Sequence, residues 1–192
     1  MIDAYVGLGA NLGDRMESLR AAVEQLAREP GFLLRGTSPV YETEPVGPPQ
    51  PRYLNAVARI GTLLSPRATL RRLLEIEELL GRVRRERWGA RELDLDLLLY
   101  GDRIVADGAL RVPHPHLHER AFALVPLAEL APDAYHPQMA RTAEELLSDL
   151  PEDARRGVRL VGNLRRGLPE PDPEGGPSGS PPPPPDPFPR VC

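Results

Sequence analysis

The sequence predicts an α+β fold: a ferredoxin-like βαββαβ core with helices on an antiparallel sheet, plus C-terminal additions and a disordered Pro-rich tail. Three observations predict it. Four segments carry strand patterning. Two segments between them carry a helical period. Their order is β-α-β-β-α-β.

The first strand spans Ile2 to Leu8, where apolar residues alternate. In "NLGDRMESLRAAVEQLARE" the apolar residues Met16, Leu19, Ala22, Val23 and Leu26 recur at a helical period, and Pro30-Gly31 ends that helix. A strand is expected near Phe32 to Tyr41, then a Pro/Gly-rich loop from Glu44 to Arg52, then a strand from Tyr53 to Leu64. Ser65-Pro66 reads as an N-cap with proline at the first helical position. Leu70, Leu73, Leu74, Ile76, Leu79 and Leu80 form the apolar stripe of the second helix, and Gly81 closes it. Leu93 to Tyr100 is the last core strand. Beyond it come a hairpin around Gly101 to Val112, a helix near Glu119 to Leu130, a small helix opened by a Thr142/Glu145 capping box, and a late strand at Val158 to Val161.

A chain of 192 residues suits one well-buried domain. The net charge of −4 supplies no global field favouring nucleic acid or anionic lipid. Lysine is absent, so the 24 basic residues are all arginine, and cationic catalysis falls to groups that stay charged and grip phosphate bidentately. The single cysteine, Cys192, excludes a disulfide framework. No signal peptide or membrane span is apparent, and a cytoplasmic location is expected. Near Arg166 the composition turns to Pro, Gly and acids. Residues 1–163 are expected to form the catalytic domain and 164–192 a disordered tail. A weak partner of the SH3-like or WW-like kind for Pro181 to Pro185 is the functional alternative to plain disorder.

The chemistry concentrates in "ERWGARELDLDLLLYG", Glu86 to Gly101. Asp94 and Asp96 lie two apart in a strand and so share a face, while Leu93, Leu95 and Leu97 point to the core and hold the register. Two adjacent carboxylates repel, and a hard divalent cation removes the conflict. A solvated polar face is the plain alternative for so short a pattern. Between Arg82 and Arg91 lie five arginines and the only tryptophan, Trp88. This reads as a lid that brings positive charge to a phosphoryl transition state, or as a solvated charge run or RNA-binding patch. No Walker motif is present. The glycines of "GLGANLG" are spaced by two and four, unlike a Rossmann fingerprint, and are better read as a turn that lets a flat ligand approach the backbone.

Five colinear segments, "YVGLGANLGD", "SPVYETEPVGPPQPRYLNAV", "IEELLGRVR", "RWGARELDLDLL" and "VPHPHLHERAFALVPLAELAP", resemble the 6-hydroxymethyl-dihydropterin pyrophosphokinase family of folate biosynthesis. The resemblance implies transfer of pyrophosphate from ATP to the pterin hydroxymethyl group with release of AMP, assisted by two Mg2+ ions. It implies Asp94 and Asp96 as metal ligands and Arg82 and Arg91 as catalytic loop arginines. It places Glu77, Leu97, His114 and Arg120 at ATP, and Gly9, Thr43, Val46, Tyr53, Asn55, Trp88 and Phe122 at the pterin. The implied partners are small-molecule substrates, with no nucleic acid, no membrane and a monomeric state. A zinc site in "HPHLH" is a minor alternative, since Pro115 disrupts regular ligand geometry. Other readings are a different Mg-dependent nucleotide transferase using D-x-D, and a ferredoxin-like RNA or small-molecule binding module. The latter lacks the aromatic-rich strand motif of common RNA readers.

Overall fold

β1 (Ile2–Ala10) is the strand around which the sheet is built, because its alternation lets both faces be covered. The computed structural model describes residues 1–45, 49–81, 93–108 and 110–164. β1 is followed by α1 (Arg15–Arg28), β2 (Phe32–Thr37), β3 (Pro39–Thr43), β4 (Tyr53–Thr62), α2 (Pro66–Leu79) and β5 (Asp94–Tyr100). The chain continues through β6 (Val105–Asp107), β7 (Leu110–Val112), a 3-10 turn at Leu117–Glu119, α3 (Ala121–Leu130), β8 (Tyr135–His136), β9 (Arg141–Thr142), α4 (Ala143–Asp149), α5 (Glu152–Arg156) and β10 (Arg159–Asn163).

The main sheet is antiparallel in the order β10-β3-β4-β1-β5, with β2 also pairing β4. β2 and β3 fill the place of one expected strand, broken at Ser38. That residue is 2 % exposed, and its hydroxyl accepts the Val57 N–H at 2.9 Å while its own N–H donates to the Val57 carbonyl at 2.8 Å. The side chain thus replaces a ladder bond that the kink removes. The expected late strand is β10, which joins the free edge of β3.

One sheet face is closed by α1 and α2. Ala4, Val6, Leu8 and Ala10 of β1 pack there with Leu19, Val23 and Leu26 of α1 and Leu73 and Ile76 of α2. Both helices start on side-chain caps: Asp14 accepts from Glu17 N–H, and Ser65 from Ala68 N–H ahead of Pro66. Just beyond α2, Gly81 takes φ of 90°, a left-handed value that suits glycine after a helix end. The other face is covered by α3 and α4, where Tyr5, Val57, Leu98 and Leu99 meet Leu124, Leu127 and Leu146. α4 opens on the expected capping box, with Thr142 N–H donating to Glu145 at 2.8 Å.

The glycines of "GLGANLG" need a correction. Gly7 and Gly9 do not form a turn; they continue β1, paired with Val57 and Asn55 on one side and Asp96 and Asp94 on the other. By strand alternation they share the face of Tyr5. Leu98 packs against Gly7, 3.4 Å from where a Cβ would stand, while Gly9 leaves the sheet face open beyond it. Only Gly13, with φ of 62°, takes a turn conformation.

Candidate active site

Gly9, without a side chain, separates two sets of polar side chains. On one side stand Asp94 and Asp96 of β5, both half-buried, while Leu93, Leu95 and Leu97 around them are buried among the α1/α2-side residues. The apolar residues hold the register, because a one-residue slip would drive both carboxylates into the core. Among the described residues β5 is the last strand of the sheet, so the main-chain groups on its outer side have no strand partner there. Glu77 of α2 supplies one: its Oε1 accepts the Leu95 N–H at 2.7 Å, and the residue is 1 % exposed. By ladder alternation the main chain of Leu97 faces the same open edge. The residue is 4 % exposed, its side chain packed with the α1/α2-side core.

On the other side of the strip stand Tyr53 and Asn55 of β4 and Thr43 of β3. The pairs Thr43–Tyr53 and Tyr41–Asn55 are directly cross-strand, so these residues share one face. Asn55 is 7 % exposed and donates through Nδ2 to Thr43 Oγ1 at 2.8 Å, which fixes its amide orientation. A Cβ at Gly9 would lie 3.5 Å from Asn55 Oδ1 and 3.9 Å from Tyr53 Cδ1. The missing side chain leaves room for a planar group against the backbone, within reach of a carbonyl acceptor and an aromatic ring. Tyr41 extends this wall, its hydroxyl hydrogen-bonded to Glu129 of α3.

A third group of side chains comes from the chain after β7. The His114 N–H donates to the Leu98 carbonyl at 2.9 Å, which ties this segment to β5. Burial lowers the His114 pKa to about 4, assisted by Arg120 and His116, with Asp94 opposing. The His116 N–H donates to His114 Nδ1 at 3.3 Å, a bond that the neutral ring accepts and the protonated ring cannot. Arg120 Nη1 lies 3.4 Å from His114 Nε2, and its guanidinium carbon stands 5.6 Å from the Phe122 ring centre. One guanidinium thus links an imidazole beside the acidic strand to an aromatic ring at the start of α3.

The structure places Gly9, Thr43, Tyr53 and Asn55 on one wall, Asp94 and Asp96 on the other, Glu77 and Leu97 behind the acidic strand, and His114, Arg120 and Phe122 in the following segment. Arg82, Trp88, Arg91 and Val46 lie outside the described residues. Sequence reasoning missed Asn11 and Gln50, which bond to each other at the mouth of the Tyr53 wall. Their partners lie 39 residues apart, so no local period marks them.

The donors at β5 are carboxylate oxygens on one face with no side chain from the paired glycines between them and the other wall. That donor set fits magnesium, a hard cation bound by one or two carboxylates together with substrate phosphates.

A family model described as 7,8-dihydro-6-hydroxymethylpterin-pyrophosphokinase (HPPK) matches residues 5–132. The chain is 43% identical over 165 residues to the 2-amino-4-hydroxy-6-hydroxymethyldihydropteridine pyrophosphokinase of Synechocystis sp., covering 84% of this chain and 85% of that protein. It is 47% identical over 138 residues to the protein of that name from Haemophilus influenzae, covering 71% and 86% respectively. Among solved structures, Plasmodium falciparum HPPK-DHPS matches with a TM-score of 0.62 at 15% identity, over 77% of this chain and 43% of that one. The chain thus spans less than half of that larger protein, and the likeness at this identity speaks to the fold. The family match and the two bacterial relatives lead to one conclusion: the chain belongs to the 7,8-dihydro-6-hydroxymethylpterin-pyrophosphokinase family.

Proposed function

We propose that the protein transfers the pyrophosphoryl group of MgATP to the hydroxymethyl group of 6-hydroxymethyl-7,8-dihydropterin, giving the pterin diphosphate and AMP, a step of tetrahydrofolate biosynthesis. One observation carries this reading. A single sheet face presents an acidic pair and an amide-plus-aromatic wall on opposite sides of Gly9, which carries no side chain.

Tyr53 and Phe122 offer rings for stacking on a flat heterocycle, and the Asn55 amide offers hydrogen bonds to its edge. Gly9 leaves room for the ring to approach the strand. Thr43 orients Asn55, and Val46 and Trp88 complete the pterin side. His114, Arg120, Glu77 and the Leu97 backbone serve the ATP side, with Glu77 acting through the strand it holds. Asp94 and Asp96 hold magnesium, two ions in this proposal, which when bound neutralise triphosphate charge and favour loss of the hydroxyl proton. The hydroxymethyl oxygen bonds to the β-phosphorus, the bond from that phosphorus to the α–β bridging oxygen breaks, and AMP leaves. Arg82 and Arg91 steady the charge that develops on the phosphoryl oxygens.

The working unit in this proposal is a cytoplasmic monomer of residues 1–164, because Leu164, expected in the tail, packs with the core; residues 165–192 are a tail that offers at most a weak docking segment. Among the described residues no helix is long and apolar enough to cross a membrane. The direct test is incubation with ATP, magnesium and the hydroxymethyl-dihydropterin. AMP and pterin diphosphate should form in equal amounts; ADP, or no nucleotide product, would refute the reading.

A further inference from the structure

We propose that Asn11 and Gln50 are positioning residues that set the Tyr53 ring, and with it the affinity for the planar substrate. The proposal deepens the pterin reading and rests on it. Asn11 follows β1 directly and is 1 % exposed. Its Nδ2 donates to Gln50 Oε1 at 3.1 Å and to the Pro51 carbonyl at 3.2 Å, so both amide hydrogens are directed at the segment leading into β4. Gln50 Oε1 also accepts the Tyr53 hydroxyl at 3.2 Å, and the two donors occupy both lone pairs of that oxygen. One amide oxygen therefore joins the end of β1 to the tip of the Tyr53 ring.

A second bond strengthens the same junction. Arg15 Nη1 donates to the Arg52 carbonyl at 2.8 Å, so the start of α1 grips the carbonyl next to the one held by Asn11. Residues 50–52 thus close onto the β1–α1 connection through two consecutive carbonyls and one side chain. The backbone of Tyr53 is fixed by its pairing with Thr43, and its hydroxyl by Gln50. A ring held at both ends enters binding with its orientation already set, and its ordering cost falls on folding rather than on binding.

This arrangement acts on the planar substrate and not on the nucleotide, because none of its members belongs to β5 or to the His114 segment. Gln50→Ala should raise the pterin KM about threefold to tenfold, the worth of one net hydrogen bond, while kcat and MgATP affinity stay within about twofold. Gln50→Glu keeps an acceptor oxygen at the same reach and should restore most of the loss. Tyr53→Phe keeps the ring and removes its donor, so it should match Gln50→Ala. The double variant should be no worse than either single one, the non-additivity expected of residues acting as a unit.

A readout independent of turnover separates this proposal from the functional one. In the ligand-free protein, the Tyr53 ring-carbon NMR signal, assigned by its loss in Tyr53→Phe, should shift in Gln50→Ala and return in Gln50→Glu. If the wild-type protein makes no AMP, the functional reading fails. The ring-setting claim is then decided by this signal, and the substrate claim falls with the function. An unchanged signal in Gln50→Ala, an unchanged pterin KM despite a shifted signal, additive effects in the double variant, or equal loss towards both substrates would each overturn the proposal.

Discussion

The Glu77 carboxylate of α2 accepts the Leu95 N–H at 2.7 Å, between the two aspartates of the last strand in the sheet. An edge strand leaves alternate N–H groups without a ladder partner, and a buried unpaired donor costs about 1–3 kcal/mol. A charged residue 1 % exposed on the inner side of α2 is explained by this contact. Glu77→Ala should destabilise the protein by about that amount in urea unfolding and weaken MgATP binding, because the strand carrying Asp94 and Asp96 loses its tether. Glu77→Gln retains an acceptor and should recover most of the stability. Equal stability of Glu77→Ala and wild type would refute the tether.

Asp94 and Asp96 share the face of Gly9 and Gly7, across which no side chain from β1 intervenes. Their proposed role as metal ligands predicts a loss of activity on substitution. Asp94→Asn or Asp96→Asn should lower kcat by about two to three orders of magnitude, comparable with loss of a transition-state electrostatic contact. A chelator should stop turnover and magnesium should restore it. Full activity in both variants would end the metal assignment.

Removing residues 167–192 should leave kcat, both KM values and the unfolding midpoint within error. β10 ends at Asn163, Leu164 is 3 % exposed and packs with the α1/α2-side core, and the family match ends at residue 132. Among the described residues, Leu164 is the last core contact, and it lies ahead of the deletion. A loss of activity beyond about twofold, against the ordinary ±0.5 kcal/mol of surface changes, would bring the tail into the working enzyme.

Where local pattern and tertiary structure agree, the fold was readable in advance. Leucine alternation located β5 and aimed the aspartates, and Ser65-Pro66, Gly81 and Thr142/Glu145 marked helix ends by chemistry confined to a few residues. Gly9 was misread because glycine carries no strand pattern, and only its pairing with Asn55 and Asp94 reveals a strand. The break at Ser38 depends on Val57, which lies far away in sequence. β8 and β9, two residues each, and the five-residue α5 are too short to show a period. The same limit hides Asn11–Gln50: a hydrogen bond between distant residues leaves no periodic trace.

Asn55 and Thr43 form a buried pair at 2.8 Å, and that bond decides which amide atom faces the Gly9 strip. Thr43→Val keeps the volume and removes the donor-acceptor hydroxyl. It should raise the pterin KM by about tenfold, one unit of 1.4 kcal/mol, through an amide freed to rotate. Asn55→Ala should cost more, since it removes the proposed partner of the heterocycle edge itself. MgATP affinity should be unaffected in both. A Thr43→Val enzyme with wild-type pterin KM would show that the bond does not orient the amide.

His114 gives the pH dependence a definite sign. Burial first, and then Arg120 and His116, lower its pKa from 6.5 to about 4, while Asp94 pulls it upward. His136 is also lowered, by burial and by His118. A histidine lowered on folding is protonated more readily in the unfolded chain. Its neutral folded form is therefore fully stabilised above pH 6.5 and loses stability as the pH falls through that value towards 4. The unfolding midpoint should fall over this window, and His114→Asn should flatten part of the decline. Ring-proton NMR of the metal-free protein should give a His114 midpoint near 4, moving lower still in Asp94→Asn, where the opposing carboxylate is gone. A wild-type midpoint near 6.5, or an upward move in Asp94→Asn, would show that His114 does not sit buried beside the acidic strand.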